Sequence, residues 1–131
     1  FMGCYAAVHG LKQAAAVAAA DAAARVLVVC TELCSLHFQK QYSPDSAAAS
    51  LLFADGSAAV LVTGDTDPRP GLRLDGFYAE LLPAGKKEMA WALSSTGFVM
   101  TLTGYVPDLV GRDLGPLKER ALADAGLAHG D

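Results

Sequence analysis

Ala14-Ala15-Ala16-Val17-Ala18-Ala19-Ala20-Asp21-Ala22-Ala23-Ala24-Arg25-Val26-Leu27-Val28-Val29-Cys30 changes from an alanine-rich helix former into an unbroken β-branched and apolar block, and that change decides the fold. A continuous apolar run of this length reads as a strand covered on both faces, and a helix feeding such a strand implies an α/β layer architecture. Upstream, Cys4 to Ala24 contains no proline, and only Gly10 interrupts strong helix formers. Alanines at Ala14, Ala15, Ala18, Ala19 and Ala22 cover more than one side of this helix, so it predicts a smooth, largely buried cylinder that other backbone can approach closely. This helix begins within two residues of the first residue, so the strand that would enter it is expected upstream of the sequence in hand.

Downstream, Tyr42-Ser43-Pro44-Asp45-Ser46 supplies a turn and a helix start running to Phe53, with Asp45 or Ser46 as its cap, and Asp55-Gly56 ends it. Ala58 to Thr63 predicts a second buried strand, and Gly64 to Gly71 a surface loop. Leu72 to Leu82 and Phe98 to Leu102, the latter after a Ser94-Ser95-Thr96-Gly97 turn, predict two further strands. Pro107 and Pro116 each fit a first helical turn, Gly115 separates two short helices, and Gly126 ends the second.

Bulk properties narrow the function classes. The 131 residues are 53% hydrophobic, enough for a packed core, and carry a formal charge of -4 with no basic stripe to neutralise a phosphate backbone. Nucleic acid is therefore excluded as a partner, and no apolar stretch is long enough to span a bilayer. The first residues lack the features of a signal peptide, and three cysteines, Cys4, Cys30 and Cys34, do not form a disulfide framework, so a reducing cytoplasmic setting is expected.

Gly3-Cys4 stands at the start of the long helix, where backbone amides and the helix dipole favour a thiolate and could hold a thioester oxyanion. The competing role for Cys4 is that of a small buried apolar side chain. Cys30, Cys34 and His37 could gather as metal ligands, but a fourth ligand is missing and strand geometry sets the two cysteines apart, so no metal is assigned. The spacing of a redox dithiol is likewise absent. Glu32, after the strand, reads as a structural hydrogen-bonding residue and not a general base, and Asp45, Asp55, Asp65 and Asp67 as turn and cap residues.

Taken in order, Gly3-Cys4-Tyr5-Ala6-Ala7, Arg25 to Cys34, Leu52-Phe53-Ala54-Asp55-Gly56-Ser57-Ala58-Ala59, Trp91, Gly97-Phe98-Val99-Met100 and Val106-Pro107-Asp108-Leu109-Val110 resemble bacterial type III polyketide synthases, the chalcone and stilbene synthase-like branch of the thiolase superfamily. The resemblance covers essentially the whole chain. It implies a thiolase-like three-layer α/β/α fold, of which 1–131 would be a single incomplete domain, the second part of the synthase's N-terminal region. It further implies that Cys4 takes an acyl group from a coenzyme A thioester and that two-carbon units from decarboxylating malonyl-CoA extend it. Phe53 then stands as gatekeeper where the coenzyme A tunnel meets the cavity, although Ala54 replaces the usual glycine beside it. Cys34 and His37 fall at cavity-lining threonines of plant enzymes, and Met100 at a second cavity phenylalanine, where a flexible thioether would open room for a different chain. Coenzyme A thioesters are the expected substrates, with no cofactor, and a homodimer is the expected assembly.

The family's catalytic histidine and asparagine lie in a His-Pro-Gly-Gly segment and a later asparagine motif, and neither occurs here; His9, His37 and His129 do not match them. The resemblance therefore implies a middle segment of a longer protein, inactive by itself. Two alternatives are a non-catalytic structural or dimerising segment and a ketoacyl synthase of fatty acid type; the Leu-Phe-Ala-Asp-Gly and Val-Pro segments favour the polyketide branch.

Overall fold

A computed structural model describes residues 3–95 and 97–128; Thr96 of the expected turn and His129 lie outside them. The chain divides into two compact units, residues 1–32 with 56–77, and residues 33–55 with 78–131.

In the first unit, a 3-10 turn (Gly3–Tyr5) leads into helix α1 (Ala6–Ala20), which is followed by strand β1 (Arg25–Glu32) and its antiparallel partner β2 (Gly56–Thr63). The helix is four residues shorter at its end than the alanine run suggested. Asp21 takes an extended conformation and its carboxylate accepts the Ala23 amide at 2.9 Å, so a short polar side chain competes with the helical ladder and wins. The surface of α1 that meets the sheet is a stripe four residues apart: Gly10, Ala14 and Ala18, the last two buried. A Cβ placed on Gly10 would sit 3.0 Å from Val28 Cγ1, which measures how closely helix and strand approach.

Burial along β1 alternates, in contrast to the two-sided cover that its unbroken apolar run suggested. Val26, Val28 and Cys30 are half-buried on the α1 side, while Leu27 and Val29 are 62% and 58% exposed on the other. Leu61, opposite Leu27 in the ladder, extends that open apolar face. The reason is geometric: a single helix covers a single face of the two-stranded ribbon. β2 is mostly exposed for the same reason.

The end of β2 closes back onto the α1–β1 connection. Thr66 Oγ1 donates to the Ala22 carbonyl at 2.9 Å, and Gly64 lies so close that a Cβ there would be 2.7 Å from the same carbonyl oxygen. Asp67 then folds the following loop by accepting from the Arg69 amide and guanidinium, and that guanidinium holds its carboxyl well below the usual carboxylate range.

The second unit holds a 3-10 turn (Cys34–His37), helix α2 (Pro44–Leu52), the hairpin β3 (Met89–Ser94) and β4 (Gly97–Leu102), and helix α3 (Val106–Asp124). α2 begins at neither expected cap. Ser43 is the N-cap, accepting the Ser46 amide at 3.0 Å, and the Ser46 hydroxyl accepts the Ser43 amide at 2.9 Å, a reciprocal capping box. Pro44 and Asp45 fill the first turn, where a missing amide and a negative charge are both tolerated.

Leu72 to Leu82, read from sequence as a strand, has no ladder partner among the described residues; the partner of β4 is instead Met89–Ser94, which the sequence reading did not identify. The two short helices expected around Gly115 form one, with Pro116 in its interior. Proline removes one ladder bond but already holds a helical φ, and Arg120 on the far side of it is anchored by a two-pronged bond to Glu80 at 2.8 and 3.0 Å. Gly126 does end the helix: at φ 69° it lets Leu127 N–H reach the Leu122 carbonyl at 2.9 Å while its own amide reaches Ala123 at 3.1 Å, a Schellman closure.

The α1–β1 junction sets the first unit's geometry. Gly64→Ala is expected to lower the unfolding free energy by about 1–3 kcal/mol because backbone must move to admit the methyl, whereas Gly71→Ala, in open space, changes it by less than about 0.5 kcal/mol. Denaturant midpoints of the two variants check this.

Candidate active site

Cys4 lies in the 3-10 turn that opens α1 and is exposed, so the alternative of a thiol sealed in the core does not hold. Its position relative to β1 follows from element lengths. Seventeen helical residues from Cys4 to Ala20 rise about 25 Å, and the eight residues of β1 extend about 26 Å in the opposite direction. The end of the strand therefore returns beside the start of the helix, and Cys4 Sγ lies 3.7 Å from Glu32 Oε2, within the range of a thiol donating to a carboxylate. The glycine before it has φ 57°, the left-handed turn that Gly3 was expected to supply. Tyr5 and His9, one helical turn apart, place their rings edge to face at 4.8 Å.

At the base of this corner, Thr31 Oγ1 and Ser57 Oγ share a hydrogen bond of 2.8 Å across the ladder, fixing the last turn of β1 on which Glu32 stands. Cys4 thus has two neighbours: the opening turn of the helix and the Glu32 carboxylate. Sequence reasoning placed the first and missed the second, because 28 residues separate Cys4 from Glu32 and only the helix-and-strand return brings them together.

The other four expected site residues belong to the second unit. Cys34 and His37, both half-buried, occupy one 3-10 turn. That turn is held by Asp55, whose carboxylate accepts the Ser35 amide at 2.8 Å and the Ser35 hydroxyl at 2.7 Å. Phe53 is the half-buried C-cap of α2, two residues before Asp55, so the same clasp joins the Phe53 segment to the Cys34–His37 turn. The Ser35 amide, then its hydroxyl, lowers the Asp55 carboxyl below the usual range.

Met100 is buried at 9% in the centre of β4, opposite Trp91 in the ladder, and Phe98 stands on the same face two residues before it. The His37 ring leans on that face, 5.2 Å from Trp91 and 5.7 Å edge-on to Phe98, with Trp91 and Phe98 6.4 Å apart. Gln39 steadies the approach by donating to the His37 and Phe98 carbonyls. His37 and Met100 are thus gathered on one aromatic surface. Trp91 and Phe98, quoted in the sequence only as marks of resemblance, turn out to be its main components; the single tryptophan of the chain alternating with Leu93 was the available signal. Among the described residues, no three His, Cys, Asp or Glu side chains are gathered to hold a metal ion, and no helix is long and apolar enough to cross a membrane.

Residues 1–68 match the sequence family described as chalcone and stilbene synthases, N-terminal domain. Over 130 residues the chain is 35% identical to Probable polyketide synthase 1 of Dictyostelium discoideum, a stretch that is 96% of this chain and 4% of that protein. Among solved structures, the C-terminal type III polyketide synthase domain of Steely1, a type I/III hybrid from Dictyostelium, superposes with a TM-score of 0.80 at 33% identity, over 95% of this chain and 35% of that one. The 1,3,6,8-tetrahydroxynaphthalene synthase of Streptomyces coelicolor, a bacterial type III polyketide synthase, does so with a TM-score of 0.84 at 28% identity, over 99% of this chain and 37% of that one. The fold is accordingly the thiolase-like α/β fold of these enzymes. The chain belongs to the chalcone and stilbene synthase family of type III polyketide synthases, and spans about a third of the length of the solved relatives.

The Asp55 clasp makes a pH-dependent prediction. A carboxyl depressed in the folded state contributes stability fully above its unfolded value and loses it as the pH falls through the folded value. Asp55→Asn is expected to lower the denaturation midpoint at neutral pH, and the gap to the unsubstituted protein is expected to close as the pH drops below the usual carboxylate range; midpoints measured across acidic pH check it.

Proposed function

We propose that the protein is an acyltransferase of polyketide synthesis in which Cys4 is the nucleophile. The observation that carries this reading is the exposed thiol at the opening turn of α1, in a chain of this family. Sulfur attacks the carbonyl carbon of an acyl-CoA, the new S–C bond forms, the bond to coenzyme A sulfur breaks, and the thiol proton leaves with coenzyme A as its free thiol. Malonyl-CoA then loses carbon dioxide, its enolate carbon bonds to the acyl carbonyl, and Cys4 sulfur is released, a decarboxylative Claisen condensation. Gly3, without a side chain, leaves the amides of the opening turn open to the oxyanion.

Phe53 serves at the mouth of the cavity, and Cys34, His37 and Met100 shape its wall. The aromatic surface of His37, Trp91 and Phe98 supports a wall role for His37 over proton transfer, since its ring is engaged by two others. The histidine and asparagine that assist decarboxylation in the family have no counterpart among these 131 residues, so this chain alone carries the loading residue without turnover. The working assembly is a cytoplasmic homodimer, with acyl-CoA and malonyl-CoA as substrates and no cofactor.

Incubation of the full-length protein with an acyl-CoA is expected to add one acyl mass to the peptide containing Cys4, and Cys4→Ser to abolish it. Acylation that persists in Cys4→Ser removes the mechanism.

A further inference from the structure

We propose that Ser35 is a positioning residue for the choice of acyl chain: its hydroxyl, bound to the Asp55 carboxylate, holds the Cys34–His37 turn to the Phe53 segment and so limits how bulky an acyl group the two admit. This rests on the placing of Phe53, Cys34 and His37 at the cavity and goes beyond it, since Ser35 acts through them.

Three observations converge. The two bonds between Ser35 and Asp55 fall on different oxygens of one carboxylate, the amide on Oδ1 at 2.8 Å and the hydroxyl on Oδ2 at 2.7 Å. A single bond is a pivot, whereas two on separate atoms also fix the angle about it. Both ends of this clasp are stiff. Leu36 N–H reaches the Leu33 carbonyl at 3.1 Å and Phe38 N–H the Ser35 carbonyl at 3.3 Å, so Cys34 and His37 move with Ser35. At the other end, Phe53 N–H is held by the Ala49 carbonyl at 2.9 Å, and only Ala54 separates Phe53 from Asp55. Finally, α2 and the Cys34–His37 turn each pack on β4, the strand of Phe98 and Met100, so the clasp ties together two elements that share one floor.

The hydroxyl is the part of the clasp that the side chain at 35 controls. The amide is there whatever residue stands at that position, so its bond survives removal of the hydroxyl. The Asp55 carboxyl stays ionised, and so a strong acceptor, at neutral pH, because the Ser35 amide and then the hydroxyl hold it below its usual range. Without the hydroxyl, the turn stays attached by one bond and can swing about it, which widens the room beside Phe53. A bulky acyl group gains from that room and a small one does not, so discrimination between acyl chains is the property that Ser35 sets.

The test is coenzyme A release by the full-length protein from acetyl-CoA and from octanoyl-CoA, compared as kcat/KM. Ser35→Ala is expected to raise the octanoyl-to-acetyl ratio about threefold, the lower end of what a hydrogen bond open to solvent is worth. Ser35→Thr, which keeps the hydroxyl, is expected to leave the ratio where it was. A general loosening of the fold would lower both rates together and leave the ratio unmoved. An unmoved ratio in Ser35→Ala overturns the inference, as does a Ser35→Thr variant that shifts it equally far. Should Ser35→Ala fail to fold, Asp55→Asn decides, since it keeps an oxygen for the amide and gives up the one that takes the hydroxyl; the ratio is expected to rise there too, and an unmoved one overturns the inference. Phe53→Ala and His37→Ala separate this from the reading beneath it. If they move the ratio and Ser35→Ala does not, the inference falls and the cavity reading stands; if none of the three moves it, the cavity reading falls and takes the inference with it.

Discussion

The close approach of α1 to β1 is the constraint on which the candidate nucleophile depends. Gly10, Ala14 and Ala18 present almost no side chain toward the sheet, and Val28 fills the space at Gly10. A helix lying that near a strand, joined to it by four residues, has little freedom to slide or rotate. Its first turn must then fall beside the strand's last residue, which is how Cys4 meets Glu32. A larger residue in the stripe would push helix and strand apart and separate the sulfur from the carboxylate before it disturbed either residue directly.

Much of this was legible in the residues. The alanine run, the apolar block after it and the glycine before Cys4 each state a local preference, and local preferences are what a sequence displays best. The helix, both strands of the first unit and the Gly126 terminus follow from them. What was not legible depended on partners. The run Val26 to Cys30 looks two-sided from its composition, yet sidedness is decided by what packs on it, and α1 covers one face. Leu72 to Leu82 alternates well enough for a strand, but a strand exists only with a ladder partner, and Met89–Ser94 holds that position against β4. Pro116 and Gly115 are local breakers overruled by the turns on either side and by the Arg120–Glu80 anchor. Ser43 was passed over as a cap because Asp45 and Ser46 are equally good on propensity; only the reciprocal bond to Ser46 distinguishes it.

The site was legible to a similar degree and for similar reasons. Cys4 drew notice as a candidate from its place at a helix start, and Phe53, Cys34, His37 and Met100 from resemblance. Contacts that cross the chain were invisible: Glu32 to Cys4, Asp55 to Ser35, and the aromatic surface on which His37 lies. In the first two cases one partner had been noticed and given a local role, Asp55 as a turn residue and Glu32 as a strand-end hydrogen-bonding group. Both keep those roles and acquire a second one through tertiary structure.

The candidate residues of each unit sit in a local setting with its own physical logic. A helix terminus against a strand end gives Cys4 an exposed place and a fixed direction without bulky side chains. Rigid area is what aromatic rings provide at small cost in side-chain freedom, and His37, Trp91 and Phe98 brace one another, Phe98 edge to face with both of the others. Met100, unbranched and buried beneath them on β4, is the adaptable component in that surface. Loss of Trp91 therefore removes the ring that both His37 and Phe98 lean on. The position of this surface rests on Trp91 more than on the histidine that first drew notice in the sequence.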